Sequence, residues 1–258
     1  MLRYKYLPID DSFKPPFDKK GSLSIIRDGT IKFTHPRDFN DPFDCHPEID
    51  FNNFLSTEFL KKIGKGRKRR LSPAKRISEK PKIIALLKRN ESVFREGINN
   101  GISICCLSRN PLQLLMWSHY ASGHTGFVVE FFIPEIEPRS NLNSLIPFPV
   151  EYKNDKPKVD NSKSKLKEYV LTKGIDWKYE DEERVIDFDR KAGIHAYDRK
   201  QSLKSVIAGM RMTDDNFATL KNTVETVNEE LGTSVTVYRA QPSPGKFALF
   251  VPGKFDAI

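Results

Sequence analysis

Apolar positions along this chain switch between a period of two and a period near 3.6. LRYKYLP at residues 2–8 alternates, with Tyr4 and Tyr6 on one side and Lys5 on the other, and predicts an opening strand. Residues 22–27, followed by Asp28-Gly29, read as one or two helical turns ended by a glycine, and residues 30–34 as a strand. His35-Pro36-Arg37-Asp38-Phe39-Asn40-Asp41-Pro42-Phe43-Asp44 is a polar, proline-punctuated loop whose Asn and Asp side chains suit turns. Further strands are expected at 102–107, 126–132, 147–152, 184–188 and 203–210, and helices at 83–98, 112–120 and 162–172. Phe217, Leu220, Val224, Val227 and Leu231 share one helical face, capped by Thr213 and stopped by Gly232. Residues 234–239 and 247–251 are then expected to complete the sheet. The order of strands and helices is irregular and has no internal repeat. That favours one α+β domain over residues 1–258, a mixed, mostly antiparallel sheet with peripheral helices, over a βαβ layout. Neither GxGxxG nor GxxxxGK[ST] occurs, so the usual nucleotide fingerprints are missing.

Composition narrows the setting. Apolar residues are 38% of 258, with 18 Phe and 8 Tyr, enough for a sizeable core. No run reaches the roughly 20 apolar residues that cross a bilayer, and MLRYKYLPIDDS lacks the apolar segment of a signal peptide. Cys45, Cys105 and Cys106, odd in number and partly adjacent, argue for a reducing compartment, so a cytoplasmic protein without membrane partners is expected.

Charge is concentrated in one place. Residues 61–90 carry thirteen Lys/Arg against Glu79 alone, whereas the whole chain is only +9. The remainder is therefore slightly acidic. This window reads as a basic insert, mobile over 65–73, and Lys65, Arg67, Lys68, Arg69 and Arg70 are candidate contacts to nucleic-acid phosphates, against the plainer reading of a solvated loop.

Trp177-Lys178-Tyr179-Glu180-Asp181-Glu182-Glu183-Arg184 is the strongest candidate for chemistry. If extended, it projects Glu180, Glu182 and Arg184 to one face. Carboxylates and a guanidinium so aligned are costly to bury unpaired, so the cluster is either a solvated acidic turn or functional. Met116-Trp117-Ser118-His119-Tyr120 offers His119 as a base or hydrogen-bond donor, or else Trp117 and Tyr120 as core anchors. Asn40-Asp41-Pro42-Phe43-Asp44 reads first as a turn, with metal or sugar-hydroxyl binding as the alternative. Cys105-Cys106 in an apolar strand reads as core.

In order along the chain, Tyr4-Lys5-Tyr6, Phe39-Asn40-Asp41-Pro42-Phe43-Asp44, Cys106-Leu107-Ser108, Met116-Trp117-Ser118-His119-Tyr120 with Gly126, Trp177-x-Tyr179-Glu180-x-Glu182-x-Arg184 and Leu203-Lys204-Ser205-Val206-Ile207-x-Gly209 resemble a bacterial family known only as a domain of unknown function. The order of parts is also similar to the ADP-ribosyltransferase superfamily, which includes toxins that modify DNA or RNA bases. That resemblance implies a split-sheet fold and NAD as co-substrate. It makes Glu182 the catalytic acid that stabilises an oxocarbenium-like ribose and Glu180 the residue that orients the acceptor. It places Lys5, Tyr6, Ser108, His119 and Tyr120 around the NAD, with Lys5 where the superfamily usually has Arg or His. A nucleic-acid acceptor, a toxin or anti-phage role and an antitoxin or chaperone partner would follow. The alternatives are a metal-dependent nuclease built on Asp41, Asp44, Glu180 and Glu182, and a non-catalytic nucleic-acid-binding module.

Overall fold

The computed structural model describes residues 1–55, 72–134, 145–160 and 163–256. Its centre is a seven-stranded sheet. The strands are β1 (Leu2–Leu7), β2 (Ser103–Ser108), β3 (Phe127–Phe132), β4 (Phe148–Pro149), β5 (Glu182–Asp187), β6 (Leu203–Ala208) and β7 (Thr236–Arg239), in the spatial order β7-β6-β3-β1-β2-β5-β4. All neighbours are antiparallel except β6 and β7. The mixed, mostly antiparallel α+β expectation therefore holds.

Period-two strands give the sheet two unlike faces. On one lie Cys105, Leu107, Val129, Phe131, Val185 and Val206, covered by Leu220, Val224 and Val227 of the helix Asp214–Leu231 and by Leu23, Ile25 and Ile26. The other is covered in two patches. Met116 and Trp117 pack on Tyr4, Tyr6, Val128 and Ile207, whereas Ile49, Phe51, Tyr169 and Val170 pack on Ile104. Between the patches runs a polar row, set by register: Glu130 opposite Tyr4, Tyr4 opposite Ser108, Ser108 opposite Glu182.

The sheet divides at its middle. β1 and β2 are in register only where Tyr4 meets Ser108. Farther along, β2 turns to Thr34, which exchanges backbone hydrogen bonds with Ile104 at 2.8 and 2.9 Å. Cys106 lies between these two attachments, and its carbonyl accepts from Lys5 Nζ at 2.9 Å. A lysine thus satisfies an acceptor that a neighbouring strand would otherwise have taken.

Several expectations need correction. Residues 177–181 are not extended: Ile175–Glu180 is a 3₁₀ helix, Asp181 is left-handed at φ 46°, and β5 begins at Glu182 rather than Arg184. Leu249–Phe250 pairs with Gln241–Pro242 in a separate ribbon and does not extend the main sheet. The strand Gly193–Ala196, which pairs with Thr30–Phe33, is too polar to have shown in the hydrophobic pattern. Of the basic segment, Pro73–Arg89 is helix, opened by Ser72 accepting from Lys75 N and containing Pro81, and Glu91–Asn99 follows as a second helix. Lys65, Arg67, Lys68, Arg69 and Arg70 lie outside the described residues. No described helix is long and apolar enough to cross a membrane.

Two glycines, Gly126 and Gly209, let backbones meet closely at strand ends. A Cβ on Gly126 would stand 2.2 Å from the Leu7 carbonyl, and one on Gly209 would stand 2.1 Å from the His124 carbonyl. Neither neighbour is a side chain that can swing away. Gly126→Ala and Gly209→Ala are each expected to cost at least about 2 kcal/mol, a Tm decrease of roughly 4–8 °C. Differential scanning calorimetry checks this, and an unchanged Tm would show that the strand ends can move apart freely.

Candidate functional site

The left-handed residue Asp181 brings Glu180 and Glu182 together. Glu180 ends the 3₁₀ helix, Asp181 reverses the chain, and Glu182 opens β5. Three fastenings hold this turn. Ser108 Oγ donates to the Glu180 carbonyl at 2.7 Å, Tyr152 Oη accepts from Glu182 N at 2.8 Å, and Arg109 ion-pairs with Asp181. The serine expected beside a ligand therefore has its hydroxyl committed to backbone, where it also accepts from Asn110 N at 3.1 Å.

Around that turn five charged side chains are buried together: Asp44, Lys173, Glu180, Glu182 and Arg184. Arg184 is fully buried; its Nε donates to Glu182 Oε1 at 2.8 Å, Nη2 to Asp44 Oδ2 at 2.5 Å and Nη1 to the Val170 carbonyl at 2.6 Å. Lys173 Nζ ion-pairs with Glu180 Oε2 and lies 3.1 Å from Glu182 Oε2 and 3.6 Å from Asp44 Oδ2. Rings flank both cations, Trp177 at 4.9 Å from Lys173 Nζ and Phe39 at 5.3 Å from Arg184 Cζ. Three carboxylates face two cations, so the cluster is short of one positive charge when all are ionised.

The two glutamates differ in acidity. Burial raises the pKa of Glu180 above the ordinary carboxylate value, and the adjacent Glu182 adds to the rise, against the opposing pull of Lys173. Burial would raise Glu182 too, but Arg184 and Lys173 together hold it well below the usual range. Glu182 is thus a permanent anion, whereas Glu180 can exchange a proton. The thiols of Cys45 and Cys106 are pushed up by burial and stay protonated.

Asp44, Lys173, Glu180 and Glu182 form one wall of a cavity of about 280 Å³ at the fork in the sheet. Tyr4, Tyr6, Cys106 and Ser108 line it from one face, Lys5 and Leu107 from the other. Lys5 and Tyr6 point to opposite faces of a strand and still share one cavity because the sheet is split there. Met116 and Tyr120 close a further side; Tyr120 Oη donates to Glu180 Oε1 at 2.6 Å and accepts from Asn40 Nδ2 at 3.1 Å. Tyr6 contributes its ring, its hydroxyl being given to the Asn110 carbonyl at 2.7 Å. His119 is outside the cavity lining, exposed, with Nδ1 3.0 Å from the Tyr179 hydroxyl. Trp117 is a fully buried core anchor.

The sequence reading missed Lys173, an isolated lysine at a helix–strand junction with no motif around it. It set Asp44 aside as a turn residue, although the spacing of the Asn40–Asp44 loop brings Asp44 to Arg184. Among the described residues no group of three or more His, Cys, Asp and Glu is arranged to hold a metal ion. Of the carboxylates weighed for a nuclease, Asp44, Glu180 and Glu182 converge on the cations Lys173 and Arg184, whereas Asp41 accepts from Phe43 N in its own turn.

The family model described as "Protein of unknown function (DUF2971)" matches residues 116–185. That stretch holds Met116, Tyr120, Lys173, Glu180, Glu182 and Arg184, and leaves Asp44 and Ser108 outside it. No curated protein and no solved structure matches the chain.

Two outcomes test the cluster. Arg184→Met leaves Asp44 and Glu182 buried without their guanidinium and should cost about 3–5 kcal/mol in urea unfolding. A smaller loss would mean that the carboxylates can reach water. Glu180, with its raised native pKa, loses stability as pH climbs from the unfolded carboxylate value through the native one, whereas Glu182, with its lowered pKa, loses it as pH falls. The stability difference between Glu180→Gln and the wild type should therefore shift in the variant's favour as pH rises above the unfolded carboxylate value of about 4.3. A difference independent of pH would place the Glu180 pKa at its ordinary value.

Proposed function

We propose that the chain is an NAD-dependent ADP-ribosyltransferase acting on a nucleic-acid acceptor. The observation that carries the reading is the row Tyr4–Ser108–Glu182 across three adjacent strands. There the first-strand, middle and glutamate motifs of the resemblance meet beside one cleft, with Glu180 next to them. The lining also suits the nicotinamide–ribose half of NAD. Tyr4, Tyr6, Tyr120 and Met116 offer apolar and aromatic surface for a ring, and Lys5 and Lys32 carry the positive charge that a diphosphate needs.

Breaking the nicotinamide–ribose bond sends its electron pair to the ring nitrogen and leaves positive charge on the ribose, as in glycoside hydrolysis. In this reading Glu182, ionised at every working pH, supplies fixed negative charge, and the surplus carboxylate of the cluster favours a cationic state over a neutral one. Glu180 takes the proton that the acceptor nucleophile gives up as it bonds to the ribose carbon. Tyr120 and Lys173 hold the Glu180 carboxylate in place for that step.

Support for a nucleic-acid acceptor comes from the helix Pro73–Arg89, which exposes Lys75, Lys82, Lys88 and Arg89. Binding carried by such residues should weaken linearly in log[salt], with a slope near −0.7 per phosphate contacted on a single strand. In this reading an antitoxin or chaperone that restrains the enzyme is an expected partner.

The test is incubation of the purified chain with labelled NAD and separate pools of RNA, DNA and protein. Label should pass to a nucleic-acid pool, and Glu180→Gln should lower kcat about 10²–10⁴-fold. The acidic limb of the wild-type pH–rate profile should lie above the ordinary carboxylate pKa of about 4.3 and disappear in Glu180→Gln. Glu182→Gln should abolish transfer as well, with some loss of stability because it disturbs Arg184. The absence of both transfer and nicotinamide release in every pool would remove the assignment.

A further inference from the structure

Asn40 and Asp44 stand at the two ends of one loop, and each reaches a different glutamate of the cleft. Asp44 reaches Glu182 through Arg184, whose Nη2 donates to Asp44 Oδ2 at 2.5 Å and whose Nε donates to Glu182 Oε1 at 2.8 Å. Asn40 reaches Glu180 through Tyr120: Asn40 Nδ2 donates to Tyr120 Oη at 3.1 Å, and Tyr120 Oη donates to Glu180 Oε1 at 2.6 Å. The loop between them is held by its own bonds. Asp41 Oδ1 accepts from Phe43 N at 2.8 Å and the Asp41 carbonyl from Asp44 N at 3.1 Å, so that aspartate shapes the turn. Phe39, next to Asn40, lies with its ring 5.3 Å from Arg184 Cζ. Asn40 is thereby placed in the lining of the cleft with its side exposed to solvent.

The order of donors along Asn40, Tyr120 and Glu180 fixes the direction of one proton. A phenol has a single O–H to give. Asn40 approaches Tyr120 Oη with an N–H and offers it nothing to donate to, so the O–H goes to Glu180. Burial raises the pKa of Tyr120, with the charge of Glu180 adding to the rise, and the proton stays on the phenol. An N–H donated to a hydroxyl oxygen also polarises its O–H and strengthens the next bond in the chain. Glu180 is faced by Lys173 from the strand Thr172–Gly174, by Glu182 across the turn at Asp181 and by Tyr120 from the helix Leu114–Tyr120. The Tyr152 and Tyr179 phenols act on it through space. Lys173 is shared with Glu182 and Asp44, whereas the Tyr120 proton goes to Glu180 alone. Tyr120 is thus the partner whose strength Asn40 can set without disturbing the other carboxylates.

We propose that Asn40 is a positioning residue for Glu180: its amide directs the Tyr120 hydroxyl proton onto that carboxylate and so holds the glutamate ionised and in place. Its part in proton transfer rests on the proposed function, whereas the relay of hydrogen bonds does not. In that function Glu180 has to be a free carboxylate when the acceptor arrives. A Tyr120 hydroxyl free to turn away would leave Glu180 protonated for more of the time. A loop that reads from the sequence first as a turn thus serves both glutamates, one from each end.

Side-chain carbon-13 NMR of the full chain, labelled in glutamate and titrated over pH, follows Glu180 with no substrate present. Its signal is identified by its loss in Glu180→Gln. Asn40 is exposed and Tyr120→Phe keeps the ring, so both substitutions leave the packing in place. Tyr120→Phe should move the Glu180 titration up by about one pH unit, the loss of one hydrogen bond to a charged group. Asn40→Ala should move it up by about 0.3 unit when Tyr120 is present, and not at all in the Tyr120→Phe background. An unmoved titration in Asn40→Ala overturns the proposal. An equal shift with and without the phenol also overturns it, by showing that Asn40 acts on Glu180 by another route. In the transfer assay, the acidic limb of the Asn40→Ala pH–rate profile should rise by the same amount with KM unchanged, and an unmoved limb overturns the part in proton transfer. A wild-type chain that transfers no label removes the transferase reading and leaves the NMR result standing.

Discussion

The chain's central constraint is a charge imbalance in a dry place. Two buried cations serve three buried carboxylates, and the carboxylates cannot move apart because each belongs to a different fastened segment. Asp44 is set by the Asn40–Asp44 loop, Glu180 by a 3₁₀ helix whose last carbonyl Ser108 clamps, and Glu182 by the first ladder position of β5. Burying ions this way costs several kcal/mol apiece, and replacing them with apolar side chains of similar volume is often neutral or stabilising. A cluster kept at that cost points to a use for the field it makes. The field is uneven: Arg184 serves Glu182 and Asp44, while Glu180 has only Lys173 among the described cations, which it shares with the other two carboxylates.

The split in the sheet is the second condition, because it gives the charge cluster an outlet. Were β1 and β2 paired along their whole length, the row Tyr4–Ser108–Glu182 would lie beneath a closed surface. Thr34 takes the far half of β2, Lys5 satisfies the Cys106 carbonyl in between, and an opening is left that side chains from both faces can enter. One lysine therefore has two duties, hydrogen-bonding the fork and lining the cleft.

Much of the fold was legible because burial leaves periodic traces. The strands at 2–7, 103–108, 127–132 and 203–208 and the helix from Asp214 carry apolar side chains at the spacing that their packing requires. The ribbon strand Gly193–Ala196 leaves two of its four residues exposed, so it leaves no such trace. At the site, Glu180 and Glu182 do come together, but not by the geometry that their spacing predicts. An extended Glu-Asp-Glu aligns its first and third side chains by the pleat, but here the alignment comes from a helix end, one left-handed residue and a strand start. Asp tolerates that left-handed position better than most residues, so its identity held a clue that period-two counting passes over. Lys173 was invisible because an ion pair between residues on separate elements leaves no local spacing to read.

Asp44 ties these observations together. A loop residue hydrogen-bonding only its own turn would be indifferent to the sheet. This one crosses to Arg184 with Oδ2 at 2.5 Å, and the same oxygen lies 3.6 Å from Lys173 Nζ. It therefore draws on both of the cations that neutralise the glutamates. Removing its charge would leave Arg184 to Glu182 and a larger share of Lys173 to Glu180, so the tendency of Glu180 to hold a proton would fall, a coupling whose sign follows from charge alone.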